Sequence, residues 1–418
     1  MRKLFILRGC QSSGKSQIIK DLGVENNTLS FNLFRSLFYD TRSTLDDNEY
    51  CITGDVHIYD KKIIEAMMNA AESRMSMGST LFIDNMNLNV RDLSKWKSLA
   101  QRYYYKMFIV DVQKETTEQE ILTRNKNKKH HSVDENILLD AMKKGNNNNF
   151  LKEYNVISPK DIQKELSFEQ FVIDASQYKK VVVIGDVHGH YESLLEILDS
   201  HGGINNRKNL YVFSGDLIDR GDKNVEVVDF LLGRRRENVI VVEGNHEMNM
   251  RHVLSSTKQK VSAQTKKTRV EFLEKGWKDK DIRRVLLDKT VPFVVLKNVV
   301  GTSKPVLVTH AGITANNFEQ KAALYPVTEF IYGSSSRNKV YRGHSTYSGN
   351  VDELINKYSS NEYIQVHGHR NGIHVDGKME YPFKTEDIYN VEAGVTDGGK
   401  MRAAIFNDLG VMSKEVDV

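Results

Sequence analysis

Five separated segments carry residue types that bind metal and handle phosphate. In chain order they are Gly185-Asp186-Val187-His188-Gly189, Gly215-Asp216-Leu217-Ile218-Asp219-Arg220-Gly221, Gly244-Asn245-His246-Glu247, His310-Ala311-Gly312 and Gly368-His369. Carboxylate, imidazole and amide oxygen are the ligands of hard and borderline divalent cations. Each segment alone reads equally well as an ordinary turn or a satisfied histidine. All five together, each after a predicted strand, do not read as chance. A second chemistry lies near the start of the chain. Gly9-Cys10-Gln11-Ser12-Ser13-Gly14-Lys15-Ser16 fits the phosphate-binding pattern G-x-x-x-x-G-K-[ST]. In that pattern the loop from Gly9 through Ser12, Ser13 and Gly14 cradles phosphate with backbone N–H groups. Lys15 reaches the β- and γ-phosphates of ATP, and Ser16 holds Mg²⁺. Asp84 ends another apolar run and could orient the hydrated Mg²⁺. A surface turn is an equal reading of Asp84-Asn85, because both residues favour turns.

These residues need elements to hold them. Leu4 to Leu7 reads as a short buried strand, followed by the glycine-bearing loop and a helix from about Gly14. Thr80 to Asp84 and Tyr105 to Val112 read as further strands, with helices at Arg91 to Arg102 and Asp134 to Lys144. Strands alternating with helices predict a parallel sheet. Lys126 to His131 reads as a mobile loop and Gly145 to Asn149 as a turn. Past Ser158-Pro159, strands are predicted at Val181–Ile184, Leu210–Phe213, Val239–Val242, Val306–Thr309, Tyr363–Val366 and Met401–Phe406. Polar motifs at strand ends are what a site built from loops requires. The expected organisation is one domain over 1–158, a linker over 159–178 and a second domain over 179–418. The fold class is α/β followed by α+β.

Bulk properties narrow the setting. The net charge of +4 over 418 residues is too weak by itself to imply nucleic acid. Local charge is more informative. Lys258 to Lys289 holds eleven Lys and Arg against five Asp and Glu, which suits a polyanion or simply a solvated helix face. Only Cys10 and Cys51 occur, so no disulfide framework is expected and a reducing, cytoplasmic compartment is (host cytoplasm, if the source is a phage). The N-terminal apolar run is too short for a signal peptide, and no run is long enough to span a membrane.

The segment from Leu4 to about Lys144 resembles the kinase domain of polynucleotide kinase-phosphatases. The likeness rests on the P-loop, the run Asp84-Asn85-Met86-Asn87-Leu88-Asn89, and Leu122-Thr123-Arg124-Asn125 with Lys128 beyond. The resemblance implies an ATP-phosphate lid of Arg124 and Lys128, with lysine where arginine is usual and so without a bidentate fork. It also implies acceptor contacts from Arg35 and Asn87. The family's Asp-x-x-Arg element corresponds to Asn32-Leu33-Phe34-Arg35, so Asn32 stands where the general base is expected. An amide cannot take that proton. The segment registers differently, or the kinase is impaired, or the position carries an Asp→Asn change. Asp40 is near but lacks the spacing.

Residues 180 to 410 resemble the calcineurin-like metallophosphoesterases. That likeness implies a two-sheet fold and two divalent metals, with Mn²⁺ the expected ion. Asp186 and His188 would hold the first, Asp216 would bridge, and Asn245, His310 and His369 would hold the second. Arg220 would hold phosphate oxygens, and His246, oriented by Asp219, would protonate the leaving oxygen. His367 reads first as a supporting or structural residue and second as a ligand, and His190 and His344 read as outside the chemistry. The sequence Gly368-His369-Arg370-Asn371 departs from the Gly-His-Thr-Pro often seen in bacterial relatives.

The tandem order implies an end-healing enzyme for RNA or DNA: a 5′-OH kinase using ATP and Mg²⁺, and a 2′,3′-cyclic, 2′- or 3′-phosphatase. Some such relatives carry a C-terminal ligase domain that is missing here, so a separate ligase is the expected downstream partner. No membrane partner is expected. The rival expectation is a protein Ser/Thr phosphatase or dinucleoside-polyphosphate hydrolase joined to a P-loop nucleotide-binding regulatory module.

Overall fold

Strand β1, Lys3–Arg8, is buried on both faces, and its alternation organises the first part of the molecule. Leu4 and Ile6 pack with Ile63, Met67 and Trp96 on one side. Phe5 and Leu7 pack with Ile19, Phe82 and Val110 on the other. A strand covered twice is apolar along its middle, Leu4 to Leu7, which is why it reads as a run. The computed structural model describes residues 2–38, 56–127, 133–255, 259–314, 318–333, 362–369, 373–375, 378–380, 383–385, 387–395 and 398–418. Two compact units emerge: Met1–Ser167 with Ala323–Pro326, and Phe168–Ala322 with Val327–Val418.

In the first unit, β1 is joined by β2 (Thr28–Ser30), β3 (Leu81–Asp84), β4 (Lys106–Asp111) and β5 (Asn155–Ile157). Their order is β2-β3-β1-β4-β5, and the pairings are parallel. The helices are α1 (Lys15–Asp21), α2 (Phe31–Phe38), α3 (Val56–Ser76), α4 (Val90–Arg102), α5 (Glu118–Lys126) and α6 (Glu135–Asn146). Side-chain caps start several of them: Asn89 accepts from Asp92 N–H, and Thr117 forms a capping box with Glu120. α6 runs two residues into the stretch expected as a turn, and a 3₁₀ helix at Asn149–Glu153 follows. Much of the loop expected at Lys126 to His131 lies outside the described residues, as do Asp40, Cys51 and His344.

The stretch expected as a linker is ordered. α7 (Ile162–Glu165) belongs to the first unit, where Ile162 is fully buried beside Phe5 and Val110. β6 (Val172–Asp174) belongs to the second unit and pairs with a strand much later in the chain. Backbone pairing to so distant a strand leaves no local pattern, so this stretch resembled a connector.

The second unit carries two six-stranded sheets. Its strands continue as β7 (Lys180–Ile184), β8 (Asn209–Phe213), β9 (Val239–Val242), β10 (Thr290–Val291), β11 (Val294–Lys297) and β12 (Val306–Val308). Then come β13 (Ile364–His367), β14 (Ile373–Val375), β15 (Lys378–Glu380), β16 (Lys384–Thr385), β17 (Ile388–Asn390), β18 (Lys400–Asn407) and β19 (Gly410–Asp417). One sheet runs β10-β9-β8-β7-β18-β19 and the other β16-β17-β13-β12-β11-β6. β14 and β15 form a separate ribbon. Alternation again sets the layers. Val182, Ile184, Tyr211, Phe213 and Ile405 face a core shared with helices, including α8 (Tyr191–Asp199) and α9 (Asn224–Val228). Val181, Val183, Leu210 and Val212 face Val294, Val308 and Val366 of the other sheet. α10 (Asn245–Leu254) and α11 (Ala263–Glu274) follow β9. No helix among the described residues is long and apolar enough to cross a membrane.

Candidate active site

β7, β8 and β9 are parallel and in register, Ile184 beside Phe213 and Phe213 beside Val241. Their C-terminal ends therefore deliver Asp186, Asp216 and Asn245 to one edge. β12 and β13 pair in parallel as Val308 with Val366, bringing His310 and His369 together from the other sheet. Backbone strain concentrates here. His188, Asp216, Asp219, Arg220 and His369 all have φ between 46° and 74°, a region that costs non-glycine residues energy and gathers at working sites.

Asp216 is the hub. Its Oδ2 lies 3.7 Å from His188 Nε2, 3.3 Å from His310 Nε2 and 3.9 Å from His246 Nε2. Two donor groups share it: His188, Asp216 and His246, and Asp216, His310 and His369. His188 Nε2 is also 3.8 Å from Asp186 Oδ2, and Asn245 Oδ1 is 3.1 Å from His310 Nε2. The ring orientations suit ligation. His188 Nδ1 donates to Ile218 O at 3.0 Å, and His310 Nδ1 donates to Ser214 O at 2.8 Å. Each bond turns Nε2 of its ring toward the cluster.

The residues fit two divalent cations. Asp186, Asp216 and Glu392 crowd into a buried pocket. Burial, then Glu392 and Asp216, push the Asp186 carboxyl well above its usual range. Burial opposes charge on Asp216 too, but His310, His246 and His188 outweigh it and hold that carboxyl well down. Burial pushes His188 down to about 3, so its imidazole is neutral. Clustered carboxylates beside the neutral His188 imidazole form a site that cation charge would stabilise. The loops also approach too closely for side chains. A Cβ on Gly244 would sit 2.2 Å from Asp216 Oδ1, and one on Gly368 would sit 2.4 Å from Asp186 Oδ1. Bound there, paired metals would clamp a phosphoryl group and activate water.

His246 belongs to the first donor group but is also tied to a further carboxylate. Its Nδ1–H donates to Asp219 Oδ2 at 2.6 Å. Burial disfavours its charge, but Asp216 and Asp219 more than compensate and raise its pKa. A protonated imidazole with Nε2 facing the cluster is suited to give a proton to a leaving oxygen. Arg220 is exposed, and its charge is felt at both His188 and His246, so it borders the same pocket. His367 is buried, with Nδ1 against Gly368 O, and lies in neither donor group. His190 is half-buried at the start of α8. Arg370 and Asn371 lie outside the described residues.

Three residues with structural roles had no role in the sequence reading. Glu247 accepts from Asp216 N–H, Leu217 N–H and Gly244 N–H at 2.8–2.9 Å, tying two ligand loops together. Its place in Gly-Asn-His-Glu was the signal. Glu392 and Thr265 come from distant segments without a motif.

In the first unit, Lys15 Nζ donates to Gly9 O and Cys10 O at 2.8 Å. Leu7 pairs with Asp84, and Ser30 pairs with Asp84 from the other side. Asp84 Oδ2 accordingly accepts from Ser16 Oγ at 3.4 Å and Ser30 Oγ at 3.2 Å. Arg124 Nη1 reaches Ser13 O at 3.3 Å, over the loop that includes Ser12 with φ of 67°. Asn32 is exposed and Arg35 half-buried on α2. Lys128 lies outside the described residues. Asn87 differs from expectation. It is 1% exposed, and its amide donates to Leu7 O and Asn85 O, so it clips β1 to the turn and does not face an acceptor.

The calcineurin-like phosphoesterase family profile matches residues 179–393. The chain belongs to that family. Curated relatives of this phosphoesterase include the catalytic subunit of serine/threonine-protein phosphatase 6 of Caenorhabditis elegans. It is 38% identical over 85 residues, which is 20% of this chain and 24% of the relative. The PP2A-like phosphatase PPG1 of Candida albicans is 44% identical over 70 residues, 16% of each chain. Human serine/threonine-protein phosphatase 5 is 38% identical over 72 residues, 16% of this chain and 14% of the relative. The chain thus spans a quarter or less of the length of these relatives. Among solved structures, a putative diadenosine tetraphosphatase aligns with 58% of this phosphoesterase and 96% of its own chain, at 18% identity and a TM-score of 0.39. A protein serine/threonine phosphatase from Saccharomyces cerevisiae covers 67% and 96%, at 14% identity and a TM-score of 0.36.

Proposed function

We propose that this metallophosphoesterase is a two-site enzyme that heals nucleic-acid ends. Its second unit would remove 2′,3′-cyclic, 2′- or 3′-phosphate from RNA or DNA ends. Its first unit would phosphorylate 5′-OH ends with ATP and Mg²⁺, in the cytoplasm and ahead of a separate ligase. The observation that carries the reading is the convergence in the first unit. Lys15, Ser16, Asp84 and Arg124 gather around one glycine loop at the end of a parallel sheet. The donor set fits ATP·Mg²⁺. Ser16 and Asp84 supply oxygen to a hydrated cation, and Lys15 and Arg124 supply positive charge to phosphate. ATP bound there would supply the γ-phosphoryl group. Lys15 would exchange its two carbonyl partners for phosphate oxygens at little cost. Arg35, on the helix that follows β2, would bind the acceptor strand. In the second unit Arg220 would hold the phosphate and His246 would protonate the departing hydroxyl.

An acceptor screen tests this. The expected result is ³²P transfer from γ-labelled ATP to 5′-OH oligonucleotides, and phosphate release from 3′-phosphate or 2′,3′-cyclic phosphate oligonucleotides. Turnover of phosphopeptides or dinucleoside polyphosphates, with no oligonucleotide activity, would favour the second reading. In that reading the chain is a protein phosphatase carrying a nucleotide-binding module, and its short matches to serine/threonine phosphatases speak for it.

Two further results are expected. Asn32→Asp raises the 5′-OH kinase rate with little change in ATP affinity, because the amide can hydrogen-bond the hydroxyl but cannot take its proton. General-base assistance is typically worth roughly 10²–10⁴-fold. A fast kinase unaffected by that change would place the base elsewhere. Lys15→Ala abolishes ATP binding, measured calorimetrically, and leaves oligonucleotide phosphatase turnover intact. Loss of both would indicate a composite site.

A further inference from the structure

The loop that carries Asp219 and Arg220 is held from outside the metal-binding motifs. Asp219 and Arg220 have φ of 71° and 74°, so something must over-determine this turn. α11 supplies it. Thr265 Oγ1, fully buried, donates to Asp219 Oδ2 at 2.5 Å, the same oxygen that accepts from His246 Nδ1. Thr268, one turn on, is also buried. Two turns from Thr265, Glu271 accepts from Asn224 N–H at 3.0 Å and from Asn224 Nδ2 at 2.6 Å. Asn224 in turn accepts from Asp219 N–H at 2.7 Å and donates to Gly221 O at 3.0 Å. Residues at i, i+3 and i+6 share one helix face, so a single side of α11 grips both ends of the strained turn. Ser262 sets where that face begins, its Oγ accepting from Thr265 N–H at 3.1 Å.

We propose that α11 is a positioning element for acid catalysis, with Thr265 as its principal residue. This rests on His246 being the proton donor. Thr265 binds one lone pair of Asp219 Oδ2 and leaves the other aimed at His246 Nδ1, which fixes the plane of the imidazole. As water adds to phosphorus and the P–O bond breaks, its electron pair stays on the departing oxygen. That oxygen takes the proton from His246 Nε2, and Asp219 stabilises the imidazolium until transfer. Glu271 acts through Asn224 to hold the turn that presents Arg220. Neither Thr265 nor Glu271 touches substrate.

The test compares kcat and KM on p-nitrophenyl phosphate and on an alkyl phosphate for the metal-loaded full chain. Thr265→Val keeps the shape and removes the hydroxyl. It lowers kcat on the alkyl phosphate by roughly tenfold, the effect of one hydrogen bond to a charged group. KM and the p-nitrophenyl rate stay near wild type, because that leaving group needs no proton. Thr265→Ser restores the alkyl rate. Glu271→Gln puts an N–H against Asn224 Nδ2 and raises KM on both substrates by roughly three- to tenfold. Equal losses on both substrates for Thr265→Val, no loss at all, or failure of Thr265→Ser to rescue would overturn the positioning role. His246→Ala is the benchmark. If it is selective for the alkyl phosphate and Thr265→Val is not, the α11 proposal alone fails. If His246→Ala is itself unselective, the acid assignment fails and takes the proposal with it.

Discussion

Asp216→Asn is expected to abolish phosphatase turnover while leaving the protein folded. The side chain is 1% exposed and stands between both histidine groups, within 3.9 Å of His188, His246 and His310 nitrogens. An amide of the same shape can still accept from His246 N–H, which Asp216 Oδ1 does now at 2.9 Å. It cannot supply the negative charge that both cations would share. Metal stabilisation of a phosphoryl transition state is worth several kcal/mol, and about 1.4 kcal/mol is a factor of ten. The loss should therefore be on the order of 10³-fold or more. Elemental analysis should find less metal in the variant, and chelator-treated wild type should match it and recover with Mn²⁺. Full turnover by Asp216→Asn, or by metal-stripped wild type, would sink the two-metal assignment.

The second large effect belongs to His246→Ala, and its size should depend on the substrate. Positioned proton transfer is typically worth roughly 10²–10⁴-fold when the leaving group is a basic alkoxide. A nucleoside 3′-phosphate departs from such an oxygen. p-Nitrophenolate departs unaided, so its rate should fall far less. The geometry behind this is the 2.6 Å bond from His246 Nδ1 to buried Asp219, which directs Nε2 at the cluster and favours the charged ring. His246 also lies close enough to His188 and Asp216 to join the first donor group. Equal loss on both substrates, accompanied by loss of metal, would mean that His246 ligates instead.

Residue types and spacing were enough to read a calcineurin-like phosphoesterase in the second unit. Asp186, His188, Asp216, Asn245, His310 and His369 were candidate ligands on the sequence, most of them because they follow a buried strand that reads as an apolar run, although β13 before His369 carries Gln365 and His367. The strand β1 and the loop to Lys15 were legible for the same reason. Short strands were not. β2, β5, β6 and β17 have three residues each, too few to show a period. The linker expected at 159–178 failed on this point, since β6 is a strand only by virtue of β11.

What the sequence determined by itself was which residue types are available: those of a metallophosphoesterase, and a glycine-bearing loop ahead of a helix. Tertiary structure alone decided how those residues face one another. It turned Asn87 inward to Leu7 O, used Glu247 to tie two loops, set Glu392 against Asp186, and put Thr265 on Asp219. Those roles depend on contacts between residues far apart in the chain. Hydrogen-bond partners chosen by three-dimensional packing leave no periodicity or spacing behind, whereas a burial pattern is written into the run of residues that makes it.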